Sequence, residues 1–182
     1  FGSVHEVGRR PRRPDPWIIA TDARTWGRMK IALIGVGQAG GKIAESVLAY
    51  EASTRADFVT DAVAINSAKA DLLGLRRIPA DDRILIGQSR VKGHGCGADN
   101  ELGVRVAEED IDEIRRAIDS VPVHEIDAFV ITAGLGGGTG SGAAPVIARE
   151  LSTIYTEPVY GLGALPGSDE GGIYTLNAAR SF

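Results

Sequence analysis

The sequence has few of the residues that would indicate a disulfide-bonded, metal-binding or membrane-spanning protein. Cys96 is the only cysteine among 182 residues, which excludes an internal disulfide and a cysteine metal cluster. No run of about 18 apolar residues is present, so the sequence contains no candidate transmembrane helix. A single cysteine fits a reducing compartment, and we expect the protein to be cytoplasmic.

Positive charge is also scarce in most of the chain. The net charge is −4 at pH 7, but residues 1–28 carry +3 and residues 29–182 carry −7. A domain that binds nucleic acid has instead a basic patch or stripe on its surface. We therefore expect no nucleic acid as a partner.

Residues 1–28 differ in composition from the rest of the chain. They contain the Arg- and Pro-rich stretch 9–16, which has too little apolar surface to form a core, so we expect a disordered tail. Met29 is the only methionine and lies directly before the first predicted strand. We interpret Met29 as the native start and the tail as sequence that is not native, with a basic tether to an anionic surface as the alternative.

Short apolar runs alternate with helical patterns along residues 29–182, which suit one domain in length. Apolar runs without polar alternation predict buried strands, and residues with helical spacing predict helices. Such alternation is typical of a Rossmann-like α/β domain, with a mostly parallel sheet covered by helices on both faces and a ligand at the carboxyl ends of the strands. The predicted strands are 30–36, 61–66, 82–87, 127–132 and 157–164, and the predicted helices are 38–50, 101–120, 143–151 and a last one from 172 onward.

Glycine is abundant, with 24 residues, and it is most concentrated in the run 133–142, Ala-Gly-Leu-Gly-Gly-Gly-Thr-Gly-Ser-Gly. The run follows a predicted strand and precedes a predicted helix. Backbone N–H groups of such a loop can turn toward an anion, and the helix N-terminus adds a partial positive charge. A tight turn needs only one or two glycines, so the run predicts a phosphate-binding loop.

A second glycine loop, Gly35-Val-Gly-Gln-Ala-Gly40, follows the first predicted strand and matches the dinucleotide fingerprint G-x-G-x-x-G. An NAD-dependent oxidoreductase is therefore one alternative. However, neither Asp57 nor Asp61 falls at the carboxyl end of the second strand, where a ribose would lie. The loop 134–142 also has no role in a simple dinucleotide site. The Walker pattern G-x-x-x-x-G-K-[ST] is absent.

The stretch Gly-Gly-Gly-Thr-Gly-Ser-Gly at 136–142 resembles the signature of the tubulin/FtsZ superfamily of GTP-dependent polymerising proteins. The stretches 29–42, 91–103 and 155–172 are similar to the CetZ family, archaeal tubulin-like proteins associated with cell shape. The first loop resembles Gly-Gln-Cys-Gly of tubulin more than the glycine run of FtsZ, although an FtsZ-type division protein stays an alternative. The resemblance implies binding of GTP or GDP with Mg²⁺, head-to-tail self-assembly and GTP hydrolysis.

The resemblance also implies which residues contact the nucleotide. The loop after the first strand would approach the phosphates, with Gln38 near the metal, and Thr139 could add a hydroxyl donor. Glu170 would accept hydrogen bonds from the ribose hydroxyls. Asp99 and Asn100 match the loop that senses the γ-phosphate, although an N-cap of the next helix explains them equally well. The full set is Gln38, Ala39, Gly40, Gly41, Lys42, Asn66, Asp99, Asn100, Gly136, Gly137, Gly138, Thr139, Gly140 and Glu170.

Other interpretations apply to some of these residues and their neighbours. Lys42 could be a solvated helix residue, and Glu170 could be an acid favoured at a helix N-terminus. His94 and Cys96 lack further ligands for zinc, and we interpret both as loop residues. A valine at Gly138 is expected to collide with a bound phosphate.

The resemblance further implies that two parts of the site lie outside this sequence. In the superfamily, the second half of the protein supplies a helix that reads guanine and an acidic loop that reaches the next subunit and positions water. We therefore expect residues 29–182 to be a GTP-binding domain truncated on its C-terminal side, with no catalytic residue of its own. A non-catalytic GTP-binding module that caps filaments is the alternative from another class.

Overall fold

Five parallel strands form the central sheet of the domain. The computed structural model describes residues 29–181, so the predictions for residues 1–28 lie outside the described residues. The order in the sheet is β3-β2-β1-β4-β5, and all four pairings are parallel. The strands are β1 (Ile31–Val36), β2 (Val59–Asn66), β3 (Arg83–Leu85), β4 (Ala128–Gly134) and β5 (Val159–Ala164).

Helices connect each strand of the described chain to the next, and a last helix follows β5. None of them combines the length and the apolar character needed to cross a membrane. They are α1 (Gly37–Thr54), α2 (Lys69–Leu73), α3 (Gln88–Val91), α4 (Asn100–Glu109), α5 (Ile111–Ile118), α6 (Gly138–Ile154) and α7 (Gly172–Arg180).

The sheet is covered on both faces, which confirms the predicted three-layer α/β fold. On one face Leu33 of β1 packs in a cluster with Ala44 of α1 and Leu72 of α2. On the other face Ile34 packs in a second cluster that includes Ile147 of α6. Successive strand side chains point to opposite faces, so a strand buried on both sides has no polar alternation. This is why the strands appear in the sequence as continuous apolar runs.

The helix predicted for residues 101–120 is two helices, because the chain turns at Asp110. The Asp110 carboxylate accepts a hydrogen bond from the N–H of Gly87 at 2.5 Å, which ties the turn to the end of β3. The apolar stripe of the prediction still faces the core, since Ala107, Ile114 and Ile118 are at most 1% exposed. The periodicity therefore predicted the buried face correctly but not the break.

Strand β5 differs from its prediction as a buried strand. It lies at the edge of the sheet, and five of its six residues are exposed. Leu162 is 53% exposed and Leu165, just after the strand, is 67% exposed. Within residues 29–181 no further element covers this side. We refer to the exposed apolar residues Tyr160, Leu162 and Leu165 as the β5 surface.

Candidate functional site

A cavity of about 560 Å³ opens at the carboxyl ends of the central strands. β1 and β4 are neighbours there, and the chain leaves them toward opposite edges of the sheet, β1 toward β2 and β4 toward β5. Ligands of open α/β sheets bind at such a switch point. The glycine loops after β1 and β4 both contribute to the wall of the cavity, so they meet where the sequence predicted.

The glycines of the first loop allow α1 to pack closely against its neighbours. Gly37 has φ +73°, and a Cβ there would lie 2.9 Å from the backbone nitrogen of Gly140. A Cβ at Gly40 would lie 2.1 Å from the carbonyl oxygen of Thr132. The Thr132 hydroxyl donates to the Gly40 carbonyl at 2.9 Å. Close packing brings the N-terminus of α1 to the cavity without any connecting residue after β1.

The second loop is shorter than predicted, because α6 begins at Gly138 rather than at residue 143. Glycine is a poor helix former, but here packing outweighs propensity. Side chains at two helical glycines would collide with backbone: a Cβ at Gly140 would lie 2.3 Å from the Gly134 oxygen, and one at Gly142 would lie 2.3 Å from the Asn100 oxygen. These glycines are required by helix packing.

Gly137 and Gly138 differ in what surrounds them. A Cβ at Gly138 would lie 2.6 Å from the Asp99 carbonyl oxygen, so a valine there would collide with the backbone before α4 whether or not a phosphate is bound. A Cβ at Gly137 would have no neighbour within 4 Å, and its φ of −78° suits any residue. Gly137 is exposed and lines the cavity. It is therefore the glycine of this loop that faces the open cavity rather than the protein.

Two predicted side chains, Gln38 and Asn66, are joined by a residue that the sequence analysis missed. Gln38 Nε2 donates to Asp71 Oδ1 at 3.0 Å, and Asn66 Nδ2 donates to Asp71 Oδ2 at 3.2 Å. Asn66 is 3% exposed, and its Oδ1 accepts from the N–H of Ser67 at 2.8 Å. All three side chains line the cavity. The only signal for Asp71 was its place shortly after a strand, since the five-residue helix α2 is too short to show a period.

A chain of hydroxyl and thiol groups connects the second loop to the same region. Thr139 Oγ1 lies 2.6 Å from Ser67 Oγ, and Ser67 Oγ lies 3.3 Å from Cys96 Sγ. The three side chains are at most 7% exposed, and Thr139 and Cys96 line the cavity. The first turn of α6, the turn after β2 and the loop before α4 are therefore fixed to one another.

Glu170 lies at the other end of the cavity. Its Oε1 accepts a hydrogen bond from the N–H of Gly167 at 2.7 Å. Gly136 belongs to this end, since a Cβ there would lie 3.2 Å from Pro166 Cβ and 3.3 Å from Tyr174 Cβ. The residues from Gly136 to Thr139 consequently run from the Glu170 end of the cavity to the Asn66 end.

Asn177 of α7 is a second structural residue that the sequence did not reveal. It is fully buried, and its Nδ2 donates to the carbonyl oxygens of Ala98 at 2.8 Å and Gly136 at 2.9 Å. One amide thus holds α7 against two loops of the cavity wall. An asparagine within a helical pattern gives no signal for such a role.

Nine of the fourteen predicted residues line the cavity, and five do not. Asp99 is the N-cap of α4, accepting from the N–H of Leu102 at 2.9 Å, which is the alternative explanation given above. Asn100 donates to Ser141 Oγ at 2.9 Å and is buried. Lys42 is exposed on α1. The five that do not line the cavity are Gly40, Gly41, Lys42, Asp99 and Asn100, and the nine that line it are Gln38, Ala39, Asn66, Gly136, Gly137, Gly138, Thr139, Gly140 and Glu170.

Residues 30–182 match the Tubulin/FtsZ family, GTPase domain, and the chain belongs to this family. The tubulin-like protein CetZ1 of Haloferax volcanii is 71% identical over 154 residues, which are 85% of this chain and 39% of the relative. The GDP-bound monomer structure of CetZ1 has a TM-score of 0.83 and 70% identity over 84% of this chain and 46% of that one.

A second solved structure is similar at lower identity. The GTPγS-bound protofilament of CetZ2 from Haloferax volcanii has a TM-score of 0.80 and 52% identity over 84% of this chain and 45% of that one. The chain spans about 40% of the length of the curated relatives that it matches.

Proposed function

We propose that this domain binds a guanine nucleotide, GTP or GDP, in the cavity at the carboxyl ends of β1 and β4. The observation that carries the proposal is the meeting of two helix N-termini, those of α1 and α6, at one cavity whose loop glycine Gly137 is open to a ligand. N–H groups in the first turn of a helix have no partner within the helix and attract anions. The GDP and GTPγS bound to the CetZ relatives support the same ligand class.

The two ends of the cavity suggest the direction of the nucleotide. Glu170 would accept from the ribose hydroxyls, as the family resemblance implies. The phosphates would then follow the backbone from Gly136 to Thr139 and reach Gln38 and Asn66 at the far end. We therefore propose that the nine residues lining the cavity contact the nucleotide directly, and that the other five predicted residues support the loops.

We also propose that Mg²⁺ binds together with the phosphates near Gln38 and Asp71. Mg²⁺ prefers oxygen ligands and is usually held by one or two carboxylates, phosphates and water. Asp71 supplies a carboxylate whose position is set by two amide donors, from Gln38 and Asn66. Among the described residues no group of three or more His, Cys, Asp or Glu could hold the metal alone, so the phosphates would supply further ligands.

We use the term native-length protein for a protein as long as the curated relatives. For the native-length protein we propose head-to-tail filaments, GTP hydrolysis at the junction between subunits, and a cytoplasmic role in cell shape. A head-to-tail contact repeated by translation gives an open filament. The protofilament formed by the CetZ2 relative supports this assembly. An FtsZ-type role in division is the second candidate, and the identity of 71% to CetZ1 favours the first.

We propose that the domain begins near Met29 and that the β5 surface is covered by other sequence in the native-length protein. The family match begins at residue 30, which supports the first statement. Large contiguous apolar patches on a protein surface mark interaction sites, which supports the second. An apolar groove of about 520 Å³ runs along this surface between β5 and α6, with Leu135, Pro145 and Leu162 in its wall.

Calorimetric titration of the native-length protein with GTP and with NAD⁺ tests the ligand. We expect GTP to bind more tightly, and tighter binding of NAD⁺ would overturn the proposal. Gly137→Ala should weaken GTP binding about tenfold or more without changing the melting temperature, because the added methyl meets only the ligand. Gly172→Ala is the matched control, since it too adds a methyl in open space but does not line the cavity.

GTP hydrolysis is tested separately from binding. If water is positioned by the neighbouring subunit, turnover per subunit should rise with protein concentration as filaments form. Residues 29–182 alone should show no hydrolysis above background. Concentration-independent hydrolysis by this part of the chain, surviving further purification, would show that the catalytic groups lie within it.

A further inference from the structure

The peptide group between Gly136 and Gly137 is held from one side by α7. Gly136 is buried, and its carbonyl oxygen accepts a hydrogen bond from Asn177 Nδ2 at 2.9 Å. No peptide bond of residues 29–181 is cis. The carbonyl and the N–H of a planar trans peptide point in opposite directions. Because the carbonyl of this peptide is directed at the buried amide of Asn177, its N–H, which belongs to Gly137, is directed to the opposite, exposed side of the loop.

The N–H groups at the start of α6 differ in whether the protein already satisfies them. The Gly138 N–H donates to the Gly97 carbonyl at 2.7 Å. The Gly137 N–H has no acceptor within residues 29–181, although Gly137 is exposed in the wall of the cavity. A free N–H at a helix N-terminus attracts an anion. Gly137 therefore supplies the first donor of the loop that is open to a ligand, and its direction depends on the peptide that Asn177 holds.

The Asn177 amide has one favourable orientation, and its surroundings fix it. The residue is fully buried on α7, and Nδ2 also donates to the Ala98 carbonyl at 2.8 Å, so both amide hydrogens are used. The reverse orientation would place the amide oxygen against the carbonyl oxygens of Ala98 and Gly136. Asn177 Oδ1 is buried without a hydrogen-bond partner in the described part of the chain. Such unpaired buried atoms are rare, and here the unpaired oxygen follows from directing both N–H groups at the two carbonyls.

We propose that Asn177 is a positioning residue for nucleotide binding, whose amide sets the plane of the Gly136–Gly137 peptide so that the Gly137 N–H donates to a phosphate oxygen. This inference rests on the proposed function. Asn177 does not line the cavity, so it acts through the loop and not by contact with the ligand. Two successive glycines have wide conformational freedom, and without this amide the donor could turn away from the cavity. A donor fixed in advance adds affinity because it need not be ordered when the phosphate binds.

Nuclear magnetic resonance of the native-length protein with GDP and Mg²⁺ measures this donor directly. We expect the Gly137 amide proton to move downfield when GDP is added, and its ¹⁵N to show a scalar coupling to a ³¹P nucleus of GDP, because phosphate oxygens accept strong hydrogen bonds from N–H groups. Absence of both signs in protein that binds GDP in calorimetry would overturn the inference and leave the guanine-nucleotide proposal intact. A protein that binds neither GDP nor GTPγS would overturn both.

Asn177→Leu tests the positioning, because leucine is similar in size but has no donor. We expect GDP binding to weaken about tenfold, the loss of one charge-assisted hydrogen bond, and the Gly137 coupling to be absent even at saturating GDP. Ser181→Ala is the matched control on the same helix. Ser181 Oγ donates to the Ser141 carbonyl at 3.1 Å and so ties α7 to α6 without holding the Gly136 carbonyl. Its loss should leave the GDP affinity and the Gly137 coupling as in wild type.

A merely structural role for Asn177 would lower the melting temperature but would not change the Gly137 coupling at saturating GDP. A wild-type coupling in folded, GDP-saturated Asn177→Leu would therefore overturn the inference. Thermal melts check folding, and Asn177→Ala, which removes the same donors without adding bulk to the core, takes the place of Asn177→Leu if leucine prevents folding. The wild-type measurement needs no variant and can overturn the inference by itself.

Discussion

Substitution of Gly40 by alanine should destabilise the domain, whereas the same change at Gly41 should not. A Cβ at Gly40 would lie 2.1 Å from the Thr132 carbonyl oxygen, so α1 must move away from β4 by about 1 Å. Overpacking of this kind costs about 1–3 kcal/mol, and loss of the hydrogen bond from the Thr132 hydroxyl costs about 1 kcal/mol more. The better helix propensity of alanine returns about 1 kcal/mol. The net loss is then about 1–3 kcal/mol.

Gly41 is the matched control within the same helix. A Cβ there would lie 3.5 Å from the Leu75 methyl groups, an ordinary contact, so only the propensity gain of up to about 1 kcal/mol remains. Urea unfolding followed by circular dichroism measures both variants. Equal stability of the Gly40→Ala and Gly41→Ala variants would refute the close packing of α1 on β4, which brings the α1 N-terminus to the cavity.

Two further predictions concern ionisable groups outside the cavity. Burial alone would raise the pKa of Glu45. However, Glu45 Oε1 accepts hydrogen bonds from the backbone N–H groups of residues 76–78 at 2.6–3.0 Å, and these bonds lower the pKa overall. Glu45→Gln should therefore cost about 1 kcal/mol at neutral pH in urea unfolding, and the difference should be lost as pH falls from the ordinary glutamate pKa through the lowered pKa of Glu45. Burial and then the hydrogen bond to Asp119 raise the pKa of Tyr155 to about 12. Absorbance titration should therefore show one tyrosine that ionises at unusually high pH, and Tyr155→Phe should remove that step. The contribution of this hydroxyl to the free energy of unfolding should be lost as pH rises from about 10 toward 12.

The spacing of apolar residues along the chain predicted which face of each helix is buried. The spacing of Ile114 and Ile118 placed them in the core whether or not the helix breaks nearby. The start of α6 could not be predicted in this way, because glycine has a low helix propensity and the close approach of Gly142 to the Asn100 backbone joins residues that are distant in sequence. The exposure of Leu162 was hidden for a similar reason, since an apolar strand has the same pattern whether or not anything covers it.

The candidate site shows the same division between local and distant information. The glycine content of the two loops identified them in the sequence. The loops meet at one cavity because β1 and β4 are parallel neighbours in the sheet. The Asp71 carboxylate is positioned by a hydrogen bond from Gln38, which lies 33 residues earlier in the chain. The Asn177 amide is positioned by its hydrogen bonds to the carbonyl oxygens of Ala98 and Gly136, both far from it in sequence. No single stretch of sequence contains these contacts.

A structure of the native-length protein with GTPγS and Mg²⁺ tests the nucleotide assignment most directly. We predict that the phosphates lie within about 3 Å of backbone N–H groups in residues 137–139 and that the ribose hydroxyls lie at Glu170. A nucleotide bound outside the cavity, or one whose phosphates lie away from Gly137, would contradict the assignment.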